Sequence, residues 1–86
     1  MTLRLDSVPR RRAGVEVERV GDQAVMLDAA GTIARGLNET AVRVWELIDG
    51  RRTVAQIAAE LHGEGDVSGD VLEFCRALLE RGLIER

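Results

Sequence analysis

Residues 37–57 read LNETAVRVWELIDGRRTVAQI, and within this run the chain turns from strand to helix. Asn38 is a favourable N-cap, and Glu39 follows it at the positive end of the helix dipole. Ala41, Val44, Trp45 and Ile48 then recur at helical spacing until Asp49-Gly50 stops the helix. Thr53-Val54-Ala55-Gln56 has the form of a capping box, in which the threonine and glutamine side chains satisfy two backbone N–H groups. It opens a second helix with Val54, Ile57, Ala58 and Leu61 as its inner stripe and Gly63 and Gly65 as its end.

Upstream, Val15 and Val17 alternate with Glu16 and Glu18, the period of a half-buried strand. Gly21-Asp22 is a two-residue turn, and Ala24–Leu27 is the returning strand. Asp28–Gly31 turns again into a third strand, Thr32–Leu37, which is short, poor in β-branched residues and interrupted by Arg35. Downstream, a third helix is expected from about Val67 to Arg81, ending at Gly82, with Leu83-Ile84 packing back. The expected fold is α+β: a three-stranded antiparallel sheet followed by three helices, an order like that of a winged helix-turn-helix. Residues 1–13 carry the single proline and little pattern, which predicts a flexible basic arm before a single domain over 14–86.

The third helix has more apolar surface than one neighbour needs. Val67, Val71, Phe74 and Leu78 form one stripe, and Leu72, Cys75 and Leu79 form a second beside it. Periodicity alone fits two explanations equally: a helix wedged between sheet and helices, or a face left for a partner.

Composition excludes several functions. With 86 residues there is room for one core and one groove. The net charge of −3 gives no general attraction to phosphate backbones or anionic membranes, although Arg4, Arg10, Arg11 and Arg12 leave residues 1–12 locally positive against Asp6. Trp45 and Phe74 are the only aromatic residues, too few for a base-stacking platform. A lone cysteine, Cys75, excludes an internal disulfide and lies on an apolar face, where it reads as a small buried hydrophobe. His62 has no cysteine or second histidine beside it to hold a metal, and would favour the second helix's dipole when charged. No apolar run has the length of a membrane span, and residues 1–12 lack a signal peptide's apolar stretch, so a cytoplasmic protein is expected. No nucleophile and base pair, paired carboxylates or phosphate loop is present, so neither catalytic residue nor cofactor is expected.

The residues Leu37-Asn38-Glu39-Thr40-Ala41, then Trp45-Glu46-Leu47, Asp49-Gly50-Arg51-Arg52-Thr53-Val54 and Ile57 resemble the PqqD-like peptide-binding proteins. These are also called recognition elements of ribosomally made, post-translationally modified peptides. Leu78-Leu79-Glu80-Arg81-Gly82-Leu83-Ile84 fits the same pattern, and the likeness spans residues 14–85. It implies that the leader of a precursor peptide adds as a strand along the third strand, in a cleft closed by the third helix. On this chain the edge would be Thr32, Ile33, Ala34, Arg35 and Gly36. The wall would be Val71, Leu72, Cys75 and Leu79, with Asp70 at the rim. The resemblance also implies delivery of the peptide to a modifying enzyme, such as a radical S-adenosylmethionine protein, or to a leader peptidase.

Two rival functions remain. The same edge and helix face could pair two copies in a structural or regulatory homodimer. A winged-helix DNA binder would place the third helix in the major groove. Residues 66–82, however, carry Asp66, Asp70, Glu73 and Glu80 against Arg76 and Arg81, a charge that repels phosphates.

Overall fold

The computed structural model describes residues 2–61 and 65–86. Its elements are β1 (Arg10–Arg11), β2 (Glu16–Val20), β3 (Gln23–Leu27), β4 (Ile33–Leu37), α1 (Glu39–Leu47), α2 (Val54–Ala59), α3 (Ser68–Glu80) and β5 (Ile84–Glu85). β2, β3 and β4 form the expected antiparallel meander, with β2 and β4 at its edges. Gly21, at φ +65°, takes the first place of the β2–β3 turn. Asp28 organises the next turn: its Oδ1 accepts from the N–H groups of Ala30 and Thr32 at 3.0 and 2.9 Å.

Both predicted N-terminal caps form. Asn38 Oδ1 accepts from Ala41 N–H at 2.8 Å. Thr53 Oγ1 accepts from Gln56 N–H at 3.1 Å, while Gln56 Oε1 accepts from Thr53 N–H at 2.8 Å. α2 is shorter than its stripe predicts and ends at Ala59; the readings of His62 and Gly63 fall outside the described residues. α3 ends in a Schellman motif: Leu83 N–H donates to the Leu78 carbonyl and Gly82 N–H to that of Leu79, with Gly82 at φ +71°. The motif turns Leu83 and Ile84 into the core beside Leu78, and all three are buried.

The N-terminal segment departs from expectation. Instead of a flexible arm, residues 2–12 are built into the domain. Leu3 is 0% exposed and Pro9 is fully buried. β1 pairs with β5, Arg10 opposite Glu85 and Arg11 opposite Ile84. The carbonyls of Ser7 and Leu5 accept from Val54 and Ala55 N–H, donors of the first turn of α2 that have no partner within their own helix. The arginines of the arm serve as anchors: Arg11 Nε donates to the Ile48 carbonyl at 2.8 Å and its guanidinium lies 5.6 Å from the Trp45 ring centre. All these partners are distant in sequence, so no local periodicity announces them.

A peptide-sized cleft beside an open strand edge

β4 runs along one side of a cleft and α3 along the other. The space between them has a volume of about 500 Å3. Arg35 and Gly36 come from β4, Thr40, Ala41 and Val44 from α1, and Asp70, Val71 and Phe74 from α3. The apolar floor is Ala41, Val44, Leu61 and Val71, so an inserted side chain would meet hydrocarbon at the bottom and polar groups at the rim.

The backbone of β4 decides what the edge can offer. Asp28 N–H donates to the Thr32 carbonyl at 2.9 Å. Alternation along an antiparallel pair then turns Met26 and Ala24 toward β4 as well. Their partners Arg35 and Leu37 direct N–H and C=O inward, to β3. Gly36, between them, directs its own pair away from the sheet. Ile33, opposite Leu27, does the same. The register shifts between Met26 and Leu27, which leaves Ala34 as the extra residue of a bulge. The bulge puts Ala34 and Arg35 on the same, inner face. This accounts for the interruption seen in the sequence: Arg35 lies on the core side but reaches across the cleft, its guanidinium 5.0 Å from the Phe74 ring centre.

Of the residues expected at the site, Arg35, Gly36, Asp70 and Val71 line the cleft. Thr32 belongs to the preceding turn, and its N–H is held by Asp28. Ile33 and Ala34 stand on the edge itself, Ile33 with 64% of its surface exposed. Leu72, Cys75 and Leu79 do not line the cleft. At 100° per residue they lie about 100° or more around α3 from the Asp70–Phe74 direction. Leu79 instead lines a hollow with Thr2, Leu3 and Glu73 on the side of the N-terminal segment. Cys75 is 0% exposed, within the core. The apolar surface of α3 is thus divided: Val67, Val71 and Phe74 face the cleft, Cys75 and Leu78 the core, and Leu79 the hollow beside Leu3.

Phe74 and the α1 positions Thr40, Ala41 and Val44 are cleft residues that sequence reasoning assigned to the core or passed over. A signal was present for Phe74, which follows Asp70 by one helical turn on the same face. The opposite sheet edge, β2, has a different character. Its hollow is lined by Arg11, Glu16, Glu18, Arg19 and Glu46 around Trp45, more heavily charged than the β4 cleft, where only Arg35 and Asp70 carry charge.

Burial pushes the Cys75 thiol up to about 11, so it is protonated at neutral pH. Thiol-specific reagents are expected to leave the folded protein unmodified and to label Cys75 only in denaturant; rapid labelling without denaturant would show that α3 opens readily. Glu39 titrates below its ordinary range because its carboxylate is hydrogen-bonded by Arg19 at 2.8 Å, but this pair is on the far edge of the sheet. Among the described residues no group of three metal-ligating side chains comes together.

Residues 23–84 match the family described as coenzyme PQQ synthesis protein D (PqqD). This chain belongs to the PqqD family. A PqqA binding protein of Xanthomonas oryzae pv. oryzae is 37% identical over 86 residues, which cover 92% of this chain and 91% of the relative. A PqqA binding protein of Kluyvera intermedia is 38% identical over 80 residues, covering 88% and 85%. The solved structure of TbiB1 in complex with the TbiA(beta) leader peptide matches at a TM-score of 0.70 and 26% identity, over 88% of this chain and 94% of that one. A lasso peptide synthetase B1 complexed with its leader peptide shares the fold at a TM-score of 0.72 and 23% identity, over 93% and 100%.

Proposed function

We propose that this protein is a non-catalytic peptide chaperone that binds the leader of a ribosomally synthesised precursor by strand addition along β4. It then presents the peptide to a modifying enzyme or a leader peptidase. The observation that carries this reading is the adjacency of an unpaired edge at Ile33 and Gly36 to an apolar-floored cleft. Strand addition needs both: main-chain groups for affinity and a pocket for alternate side chains. The names of the relatives, PqqA binding proteins, support a precursor peptide as the ligand.

The peptide-binding residues in this reading are Ile33, Ala34, Arg35 and Gly36 at the edge, with Asp70, Val71 and Phe74 across the cleft. The sheet-then-helices order supports a winged helix-turn-helix likeness in arrangement, without a DNA-binding activity. The reading places the protein in the cytoplasm; no helix among the described residues is long and apolar enough to cross a membrane.

Titration of the purified protein with PqqA-type and lasso-type leader peptides tests this. Saturable one-to-one binding is expected for at least one of them, with the peptide's mass unchanged after prolonged incubation. A time-dependent mass shift would make the protein an enzyme, and absence of binding to every leader would reject the chaperone reading. The exposed Ile33 on an open edge also favours a homodimer as the second reading. Size-exclusion separates the two, because a dimer through β4 dissociates as leader is added.

A further inference from the structure

Most arginines that donate to main-chain carbonyls tie chain segments together: Arg11 to Ile48, Arg12 to Gly82 and Arg76 to Leu3. Arg81 does something else. Its Nη1 donates to the Ala34 carbonyl at 2.7 Å, crossing from the end of α3 to the bulge of β4. Arg35, the next residue on β4, crosses the same gap in the other direction onto Phe74. Arg35 lines the cleft, and Arg81 stands just beyond that lining, held at the β4 edge by the carbonyl of the residue before Arg35. Among the described residues neither forms an ion pair with a carboxylate.

The acids of α3 are divided. Glu73 and Glu80 line the hollow beside the N-terminal segment, whereas Asp70 lines the cleft. α3 sets Asp70 and Arg81 roughly 16 Å apart along its axis. β4 and α3 run in opposite senses across the cleft. One end, by Asn38 and Val67, is therefore negative, and the other, by Ala34 and Phe74, is positive.

We infer that the positive end is a carboxylate-reading subsite: the peptide that lies along β4 carries an aspartate or glutamate that meets Arg81 and Arg35. The inference rests on the strand-addition reading above and names the kind of peptide it selects. A lone carbonyl and a ring face are weaker partners for a guanidinium than a carboxylate, which accepts two parallel charge-assisted bonds. An arriving acid draws Arg81 off Ala34 and frees that carbonyl for the peptide's own N–H. Asp70 repels an acid placed at the other end, so the two ends together fix how far along the cleft the peptide sits.

Random peptides displayed on phage and selected on the wild-type protein provide a probe that needs no knowledge of the natural ligand. Those whose binding is lost with Gly36→Pro use β4. Among them an acid at one fixed position is expected, and its exchange for the amide weakens binding about tenfold. Arg81→Gln removes that preference, and Arg81→Glu reverses it toward lysine or arginine, with circular dichroism showing that both variants are folded. Arg35→Gln, on the other wall, weakens the same preference and serves if the Arg81 variants fail to fold. β4-dependent peptides with no acid bias, or with a bias that every variant leaves intact, overturn the inference while strand addition stands. Peptides that bind equally to Gly36→Pro overturn both.

Discussion

Proline at position 36 is expected to leave the domain folded and to weaken leader binding by about ten- to a hundredfold. Gly36 N–H points away from the sheet, so its loss breaks no bond to β3. A Cβ at this position has room, the Ala24 carbonyl oxygen being 4.0 Å away. The leader, however, loses a donor, and its own carbonyl is left without a partner, a deficit of about 1–3 kcal/mol. Proline at position 33, the first residue of β4, should behave similarly, since a strand's first residue tolerates proline. Proline at 35 or 37 is the control with the opposite outcome. Those N–H groups face β3, and removing one breaks the ladder and unfolds a domain whose whole stability is roughly 4–13 kcal/mol. Circular dichroism and leader titration across the four variants decide the matter. If the variants at 33 and 36 are folded and bind like the parent, the leader does not use this edge.

The second large effect is on stability. Leu3→Ala should lower it by about 2–4 kcal/mol, the usual range for emptying a fully buried leucine site. In a domain of this size that lowers the melting temperature by about 10–20 °C. Removing residues 1–9 goes further. It exposes the surface under Leu3 and Pro9, and it takes the Leu5 and Ser7 carbonyls from the first turn of α2 and the Leu3 carbonyl from Arg76. This truncation should be largely unfolded at 37 °C, as thermal melting followed by circular dichroism would show. An unchanged melting temperature would mean that the segment packs without stabilising.

The meander and the starts of α1 and α2 were legible in the sequence because each is specified locally. Alternation around Val15 and Val17, the Gly21-Asp22 turn, and the caps at Asn38 and Thr53 need no information from elsewhere in the chain. The N-terminal segment was not legible, since Arg10 and Arg11 find their strand partners only at Glu85 and Ile84. The cleft was half legible. Of the residues that family likeness implies, Arg35, Gly36, Asp70 and Val71 line the cleft, whereas Leu72, Cys75 and Leu79 do not. The apolar stripes gave the width of the helix face and not the location of its two neighbours. Arg35 looked like a defect in a strand, and only the bulge at Ala34 shows why a cation belongs on that face.

That bulge has a consequence for the behaviour of the purified protein. In a regular strand the free backbone groups recur at every second residue, and a second such strand can zip onto all of them, then a third onto that one. Here Ile33 and Gly36 are out of step with that repeat, and the Ala34 carbonyl between them is already held by Arg81. A second copy laid antiparallel can meet it at those two residues only, closing a dimer with no further free edge of this strand, whereas a flexible peptide can kink to follow the bulge into the cleft. The domain is thereby protected from growing into fibres through the strand it leaves open, and concentrated solutions should not nucleate amyloid.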